Sequence, residues 1–370
     1  MSTSQTHGKQ SQIVCLVEGQ IGLITLNRPQ SLNALTLGMV RDITAALLAW
    51  RDDASVTAVV VRGATQEGKG VAFCAGGDIR FFHQAAHAGD ARLEDFFTEE
   101  YTLNHLIHNY PKPYVALMDG VVMGGGMGIS QGAQFRVVTE RSKLAMPETH
   151  IGLFPDVGGG YFLSRCPGFV GEYLALTGQV LGAGDAIAWG LADVHLTADT
   201  LPALIESLTD QPMDSTSQVL AAVKARALEP PASALLAHRA AIDAHFCHAD
   251  MLGIGASLQA DASEWAAHTL QTLRKRSPLM LCVALEQVRR ARHLSLADDL
   301  RMERDLVRNC FAIQPLASND TVEGIRALAV DKDHAPRWNP ARLEDVTPAM
   351  VAAYFVSPWP GFAHPLRSLD

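Results

Sequence analysis

At 370 residues the chain is long enough for one large core, or for one core with an appended region. Its composition, 48% hydrophobic and 19% charged, is that of a soluble globular protein, and a net charge of -9 gives no electrostatic reason to expect nucleic acid or an anionic membrane as partner. No uncharged stretch is long enough to span a bilayer, and six cysteines scattered without a CxxC pair read as reduced thiols.

Residues 1–12 are polar, with neither an apolar signal core nor an arginine-rich pattern, so a disordered N-terminus and a cytoplasmic location are expected. Ile13 to Val17 and Ile21 to Leu26 are β-rich runs separated by Glu18, Gly19 and Gln20, which predicts a hairpin. From Thr36 to Trp50 the apolar residues fall at helical spacing, with Thr36 placed to cap. Thr57 to Val61 is a continuous β-branched run, the pattern of a strand covered on both faces. After a polar loop at 63–70, Gly76 and Gly77 precede Asp78, a helix N-cap residue, so backbone amides there lack helical partners.

Leu93 to Tyr110 reads as a helix, and Tyr114 to Met118 as a buried strand leading to the glycine triplet Gly124 to Gly126. Phe135 to Thr139 and Lys143 to Ala145 are predicted as short strands that deliver the chain to Glu148. Helices with glycine stops follow over Tyr161–Cys166, Phe169–Leu176 and Asp185–Trp189, and Asp193 to Leu196 is a last short strand. From Pro202 onward Ala and Leu recur at helical spacing, interrupted near Pro230 and Pro231 and near Ser277 and Pro278. The organisation expected is an α/β core over 13–205 and a helical region over 206–370 packed on it.

The chemistry concentrates in Met146 to Tyr161, MPETHIGLFPDVGGGY. Glu148 and Asp156 are acids eight positions apart on a Pro/Gly-punctuated loop that is otherwise apolar, so they can face one small volume with perturbed proton affinities. Helix capping by Glu148 and turn closure by Asp156 are the structural alternatives. Joined to the amide sites at Gly77 and at Gly124 to Gly126, the two acids suit chemistry on an acyl carbonyl.

Three other patterns carry less. Gly128-Ile-Ser130-Gln-Gly132 matches a serine nucleophile elbow, but the turn is already made at Gly124 to Gly126, which places Ser130 inside the next helix. A dinucleotide fingerprint from Gly126 would need glycine where Gln131 stands. The pairs His83/His87, His105/His108 and His245/His248 have helical spacing without an HExxH, so no metal is expected.

These residues resemble the crotonase (enoyl-CoA hydratase/isomerase) superfamily, through NRPQSLNAL at Asn27–Leu35, FCAGGDI at Phe73–Ile79 and MGGGMGIS at Met123–Ser130. Within it the chain is most similar to the 3-hydroxyisobutyryl-CoA hydrolases, through MPETHIGLFPDVGGGYFLSR at Met146–Arg165, EEY at Glu99–Tyr101, KPYVALMDG at Lys112–Gly120 and EGIRALAVDKDHAPRW at Glu323–Trp338. The resemblance implies a ClpP/crotonase-like fold of repeated ββα units with a helical C-terminal region, and an acyl-CoA as partner. It implies an oxyanion hole from the Gly77 and Gly125 amides, Glu148 as nucleophile or base, Asp156 as its partner, and Glu100 at a substrate 3-hydroxyl. CoA contacts are implied at Asn33, Ala34 and Leu35 and at Ala75, Gly76, Gly77 and Asp78. CoA belongs to the substrate, so no separate cofactor is expected, and a homo-oligomer is compatible with the family.

One departure bears on the reaction. Hydratases of this fold carry a glutamate two residues after the glycine triplet, where this chain has Gly128. With that acid absent and Asp156 present, the resemblance favours thioester hydrolysis. An enoyl-CoA hydratase or isomerase using Glu148 alone is the first alternative, and a non-catalytic acyl-CoA-binding protein the second.

Overall fold

Stretch after stretch of the N-terminal half contributes two strands and then a helix. In the computed structural model, which describes residues 11–370 apart from Lys69, Pro212 and Asp214, β1 (Ile13–Glu18) and β2 (Ile21–Leu26) form the expected hairpin with Ile13 opposite Leu26. α1 (Leu37–Arg51) follows, capped by Thr36, whose side chain accepts from Met39 N. β3 (Ala58–Gly63) and β4 (Ala72–Cys74) lead to α2 (Ile79–Ala88) and α3 (Arg92–His108). β5 (Tyr114–Met118) and β6 (Val121–Met123) lead to α4 (Gly125–Gln131), and β7 (Phe135–Val138) and β8 (Lys143–Ala145) to a 3-10 turn at Glu148–Ile151 and to α5 (Gly159–Leu163). α6 (Val170–Thr177), α7 (Ala183–Ala188) and β9 (Val194–His195) close this half.

The two strands of a unit go to different sheets. A six-stranded sheet has the order β1-β2-β3-β5-β7-β9, antiparallel only between β1 and β2, while β4, β6 and β8 form a parallel three-stranded sheet. This is the repeated ββα architecture the resemblance implies. β4 and β6 were not anticipated as strands, because three residues are too few to display an alternation.

Alternation is clear in the large sheet. Val59 and Val61 of β3 enter the main core with Ile24, Leu26, Tyr114 and Ala116, whereas Ala58 and Val60 enter a second cluster with Ile21, Leu23, Val115 and Val137. Leu204 and Leu208 of α8 (Leu201–Thr209), with Val219 and Val223 of α9 (Thr216–Lys224), cover that second face. The expected division at residue 205 falls inside α8, which belongs with the sheet it covers.

The segment 1–12 lies outside the described residues except for its last two. Those are tied to the core: Gln12 O accepts from Asn27 N at 2.8 Å, and Ser11 O from Asn27 Nδ2 at 2.9 Å.

Helices build the rest: α10 (Arg239–Phe246), α11 (Met251–Ala260), α12 (Glu264–Leu273), α13 (Pro278–Ala291), α14 (Leu296–Ala312), α15 (Asp320–Ile325) and α16 (Pro348–Tyr354). The interruption at Ser277–Pro278 is a helix start: Ser277 caps α13 by accepting from Met280 N, and proline sits in the first turn, where its missing N–H has no cost. Val283, Ala284, Leu300 and Val307 of α13 and α14 share the main core with Leu163 of α5 and Leu174 of α6. No helix among the described residues is long and apolar enough to cross a membrane.

Candidate active site

The parallel small sheet sets the site, because its three strands end side by side. Just beyond β4 come Gly76 and Gly77, beyond β6 Gly124 and Gly125, and beyond β8 Glu148. Ligands commonly bind outside the carboxyl ends of parallel strands. Here those ends open on a cavity of about 220 Å³ lined by Gly76, Gly77, Gly124, Gly125, Glu100, Glu148 and Asp156. Phe82, Phe97, Met123, Ile151 and Leu153 supply apolar walls. Two larger clefts, of about 600 Å³ among α11, α12 and α13 and of about 380 Å³ among α11, α13 and α16, are bordered by Asp250, Glu286 and Glu344, none of which is buried.

Gly77 and Gly125 line this volume, and the fold treats their backbone amides differently. Leu35 N donates to Gly76 O at 2.8 Å and Leu35 O accepts from Asp78 N at 3.0 Å. That parallel bridge engages the groups on either side of Gly77 and turns the Gly77 N–H away from Leu35. Gly125 opens α4, so its N–H has no intrahelical acceptor. The triplet also makes room for the acids: a Cβ on Gly124, which has φ +48°, would stand 2.7 Å from Glu148 Oε1, and one on Gly125 would stand 2.5 Å from Glu100 Oε1.

Glu100, Glu148 and Asp156 are all buried, and among the described residues no lysine or arginine lines the cavity with them. Burial, reinforced by the charge of Asp156, pushes the Glu100 and Glu148 carboxyls well above the usual carboxylate range. Burial pushes Asp156 up to about 6, while the Tyr101 hydroxyl, donating to Asp156 Oδ2 at 2.8 Å, works in the opposite direction. Among the described residues Glu100 Oε1 and Glu148 Oε2 have no hydrogen-bond partner. Three acids in one desolvated space titrate as a coupled set, an arrangement in which one can act as acid and another as base.

The position two residues past the triplet is closed. A Cβ on Gly128 would lie 2.7 Å from Val157 Cβ and 2.9 Å from Asn104 Nδ2, so Val157, next to Asp156, fills the space a side chain at 128 would need.

Other expected residues are distributed differently. Asn33 is fully buried; its side chain accepts from Arg28 N and donates to Ala64 O and Ala72 O, which builds the loop and leaves nothing of that side chain for a ligand. The Leu35 side chain lies in the core, and the Ala34 carbonyl accepts from Arg28 Nη1. Ala75, Gly76 and Gly77 line the cavity; Asp78 caps α2 by accepting from Phe81 N and pairs with Arg28 at 2.7 Å. Ser130 is buried within α4 and donates to Gly126 O, so it presents no nucleophile. Among the described residues no group of His, Cys, Asp or Glu side chains is placed to hold a metal ion.

Two site residues escaped the sequence reading. Tyr101 follows Glu100 but gave no sign of reaching Asp156, which is 55 positions away. His150 lines the cavity and accepts from the Arg276 guanidinium; burial first and then that cation lower it to about 4, so it is neutral.

Comparison with known proteins agrees with this fold. The family model for enoyl-CoA hydratase/isomerase matches residues 21–355. The chain belongs to that family. It is 41% identical over 354 residues, 94% of this chain and 90% of the relative, to the mitochondrial 3-hydroxyisobutyryl-CoA hydrolase of Xenopus tropicalis. It is 39% identical to the mitochondrial protein of the same name from Rattus norvegicus, covering 95% of this chain and 90% of that one. A solved structure described as a carnitinyl-CoA dehydratase from Mycobacterium thermoresistibile superposes with a TM-score of 0.88 at 41% identity, covering 98% of this chain and all (100%) of that one.

These names overturn the cytoplasmic expectation, since relatives matched over nearly the whole chain are mitochondrial. Cysteines that read as reduced speak against an oxidising compartment and do not single out the cytosol.

Proposed function

We propose that this protein hydrolyses a short, branched 3-hydroxyacyl-CoA thioester, with 3-hydroxyisobutyryl-CoA as substrate and 3-hydroxyisobutyrate and CoA as products, a step of valine breakdown. The observation that carries the reading is the convergence of Glu148 and Asp156 on one cavity in which position 128 is glycine and its space is taken by Val157. A volume of about 220 Å³ suits the acyl end of a larger molecule, because a whole drug-sized ligand needs more.

In this reading the thioester oxygen accepts from the amides of Gly77 and Gly125, which stabilise the negative charge that develops as the carbonyl carbon is attacked. Glu148 attacks that carbon directly, giving a mixed anhydride that water opens, or it takes a proton from the water that attacks. Asp156 positions the water and exchanges the proton. The C–S bond breaks, the thiolate collects a proton from the acid pair, and the acyl group leaves as a carboxylate. Glu100, whose Oε1 has no partner among the described residues, receives the 3-hydroxyl group. The reaction needs the thioester and water alone. The CoA moiety runs past Ala75 to Asp78, and toward Asn33 to Leu35 it meets backbone.

The test is thiol release from 3-hydroxyisobutyryl-CoA beside crotonyl-CoA and acetyl-CoA. Selective release from the first is expected; loss of crotonyl absorbance without thiol release would replace the reading with hydration. The second reading is favoured by the descriptions of two solved structures, a dehydratase 41% identical and an enoyl-CoA hydratase 37% identical to this chain. Single turnover in ¹⁸O-water bears on the two hydrolytic routes: label in the Glu148 carboxyl group requires a mixed anhydride that water opens at its glutamyl carbonyl, whereas base catalysis puts the label in the product alone.

A further inference from the structure

Below the site, two side chains from the C-terminal helices hold the turn that carries Asp156. Glu303 of α14 accepts from Gly158 N at 2.7 Å through Oε2 and from Gly160 N at 2.9 Å through Oε1. Gln287 of α13 donates to Pro155 O at 2.6 Å and to Glu303 Oε1 at 2.9 Å. The backbone is thus clamped on both sides of Asp156 by residues more than 130 positions away in sequence.

A core has no thermodynamic need for this arrangement. Glu303 and Asp299 are both fully buried, and no lysine or arginine among the described residues forms an ion pair with either. Well-packed apolar residues are commonly at least as stabilising as such buried charges. Asp299 Oδ2 accepts from Tyr161 N at 2.9 Å, but its Oδ1 has no partner, whereas three N–H groups point at Glu303. Burial and the neighbouring Asp299 charge push the Glu303 carboxyl well above the usual carboxylate range, and the Gly158 and Gly160 amides pull against that shift.

The turn itself requires holding. Val157 has φ +57° and Gly158 φ +85°, and the left-handed region is costly for a β-branched residue. Such a conformation persists only where its surroundings over-determine it, and here it does two things: it aims Asp156 at the cavity and sets Val157 against Gly128.

We infer that Glu303, with Gln287, is a positioning residue for the reaction, fixing the strained Pro155–Gly160 turn so that Asp156 and Val157 take their places at the acyl site. The inference rests on the hydrolase reading for its kinetic arm only. Displacing a reacting group by about 1 Å costs on the order of 10²-fold in rate, whereas CoA contacts lie elsewhere. Glu303→Gln, which keeps the shape but cannot accept both glycine amides, therefore lowers kcat by about that factor with KM little changed.

The experiment combines thiol-release kinetics with hydrogen exchange followed by mass spectrometry on the full chain. In folded Glu303→Gln, faster exchange confined to residues 157–161 together with a selective fall in kcat is the expected result. Unchanged exchange there, or a kcat within twofold of the parent, overturns the inference. If Glu303→Gln does not fold, Gln287→Met carries the test, with a lower kcat at unchanged KM expected and an unaltered kcat overturning it. If the double variant folds, its loss is no greater than that of Glu303→Gln, because both act through one turn; multiplied losses overturn the shared role. Absence of thiol release in the parent protein would remove the hydrolase reading, while the exchange result would still decide whether Glu303 holds the turn.

Discussion

The Tyr101 hydroxyl donates a 2.8 Å hydrogen bond to Asp156 Oδ2, and both groups are buried. It joins the middle of α3 to the loop after β8 and favours the ionised form of an acid that burial would otherwise keep protonated. Tyr101→Phe removes that donor, so Asp156 holds its proton to higher pH. The acid limb of kcat/KM, followed by thiol release from pH 5 to 8, is expected to move upward in the variant. A limb that stays in place would mean that Asp156 does not govern it.

Glu148→Gln and Asp156→Asn keep the shapes of the two acids and remove their proton chemistry. Each is expected to lower kcat by about 10²- to 10⁴-fold, the range of a positioned acid or base. Initial rates of thiol release at saturating substrate are the measurement. If either variant keeps more than a tenth of the parent rate, that acid is a loop residue and not part of the reaction.

The same acids are expected to cost stability. The folded-state value of Asp156, about 6, lies above its ordinary 3.8, so its contribution is fully present below about 3.8 and is lost as pH rises through 6. Near pH 8 the parent must bury an ionised carboxylate that Asp156→Asn lacks. Thermal unfolding at pH 5 and pH 8 should therefore show the variant gaining in Tm relative to the parent as pH rises. An equal difference at both values would show that Asp156 does not titrate in this window.

Gly128→Glu restores the acid that hydratases of this fold carry, but its Cβ would meet Val157 Cβ at 2.7 Å and Asn104 Nδ2 at 2.9 Å. Overpacking of this kind costs about 1–3 kcal/mol. A lower Tm and no loss of crotonyl-CoA absorbance are expected. A stable variant that hydrates crotonyl-CoA would show that one side chain alone separates the two reactions.

Much of this site was legible because its parts are local. Thr36 and Asp78 announce helix starts through side chains that bond three residues ahead, and each caps its helix in the fold; Ser277 does the same where the sequence pattern marked only an interruption. The alternation in β3 needs only neighbours in sequence. The motifs around Gly77, Gly124 to Gly126, Glu148 and Asp156 carried the family, and Gly77, Gly124, Gly125, Glu148 and Asp156 line one cavity.

What lay beyond the sequence depends on registers that no local pattern encodes. The strands β4 and β6 exist because three-residue segments pair with each other and with β8, and Asn33 turns inward because its amide bridges Arg28, Ala64 and Ala72. Sequence determined which acids and glycines this protein possesses and which secondary elements carry them, because propensity and capping act over a few residues. Tertiary structure alone decided that Tyr101 meets Asp156, that Val157 fills the space beside Gly128, and that Gln287 and Glu303 grip the turn between them. Desolvation, close packing and charge proximity are properties of the assembled volume, and they fix the chemistry of the acids only once the distant helices have closed around them.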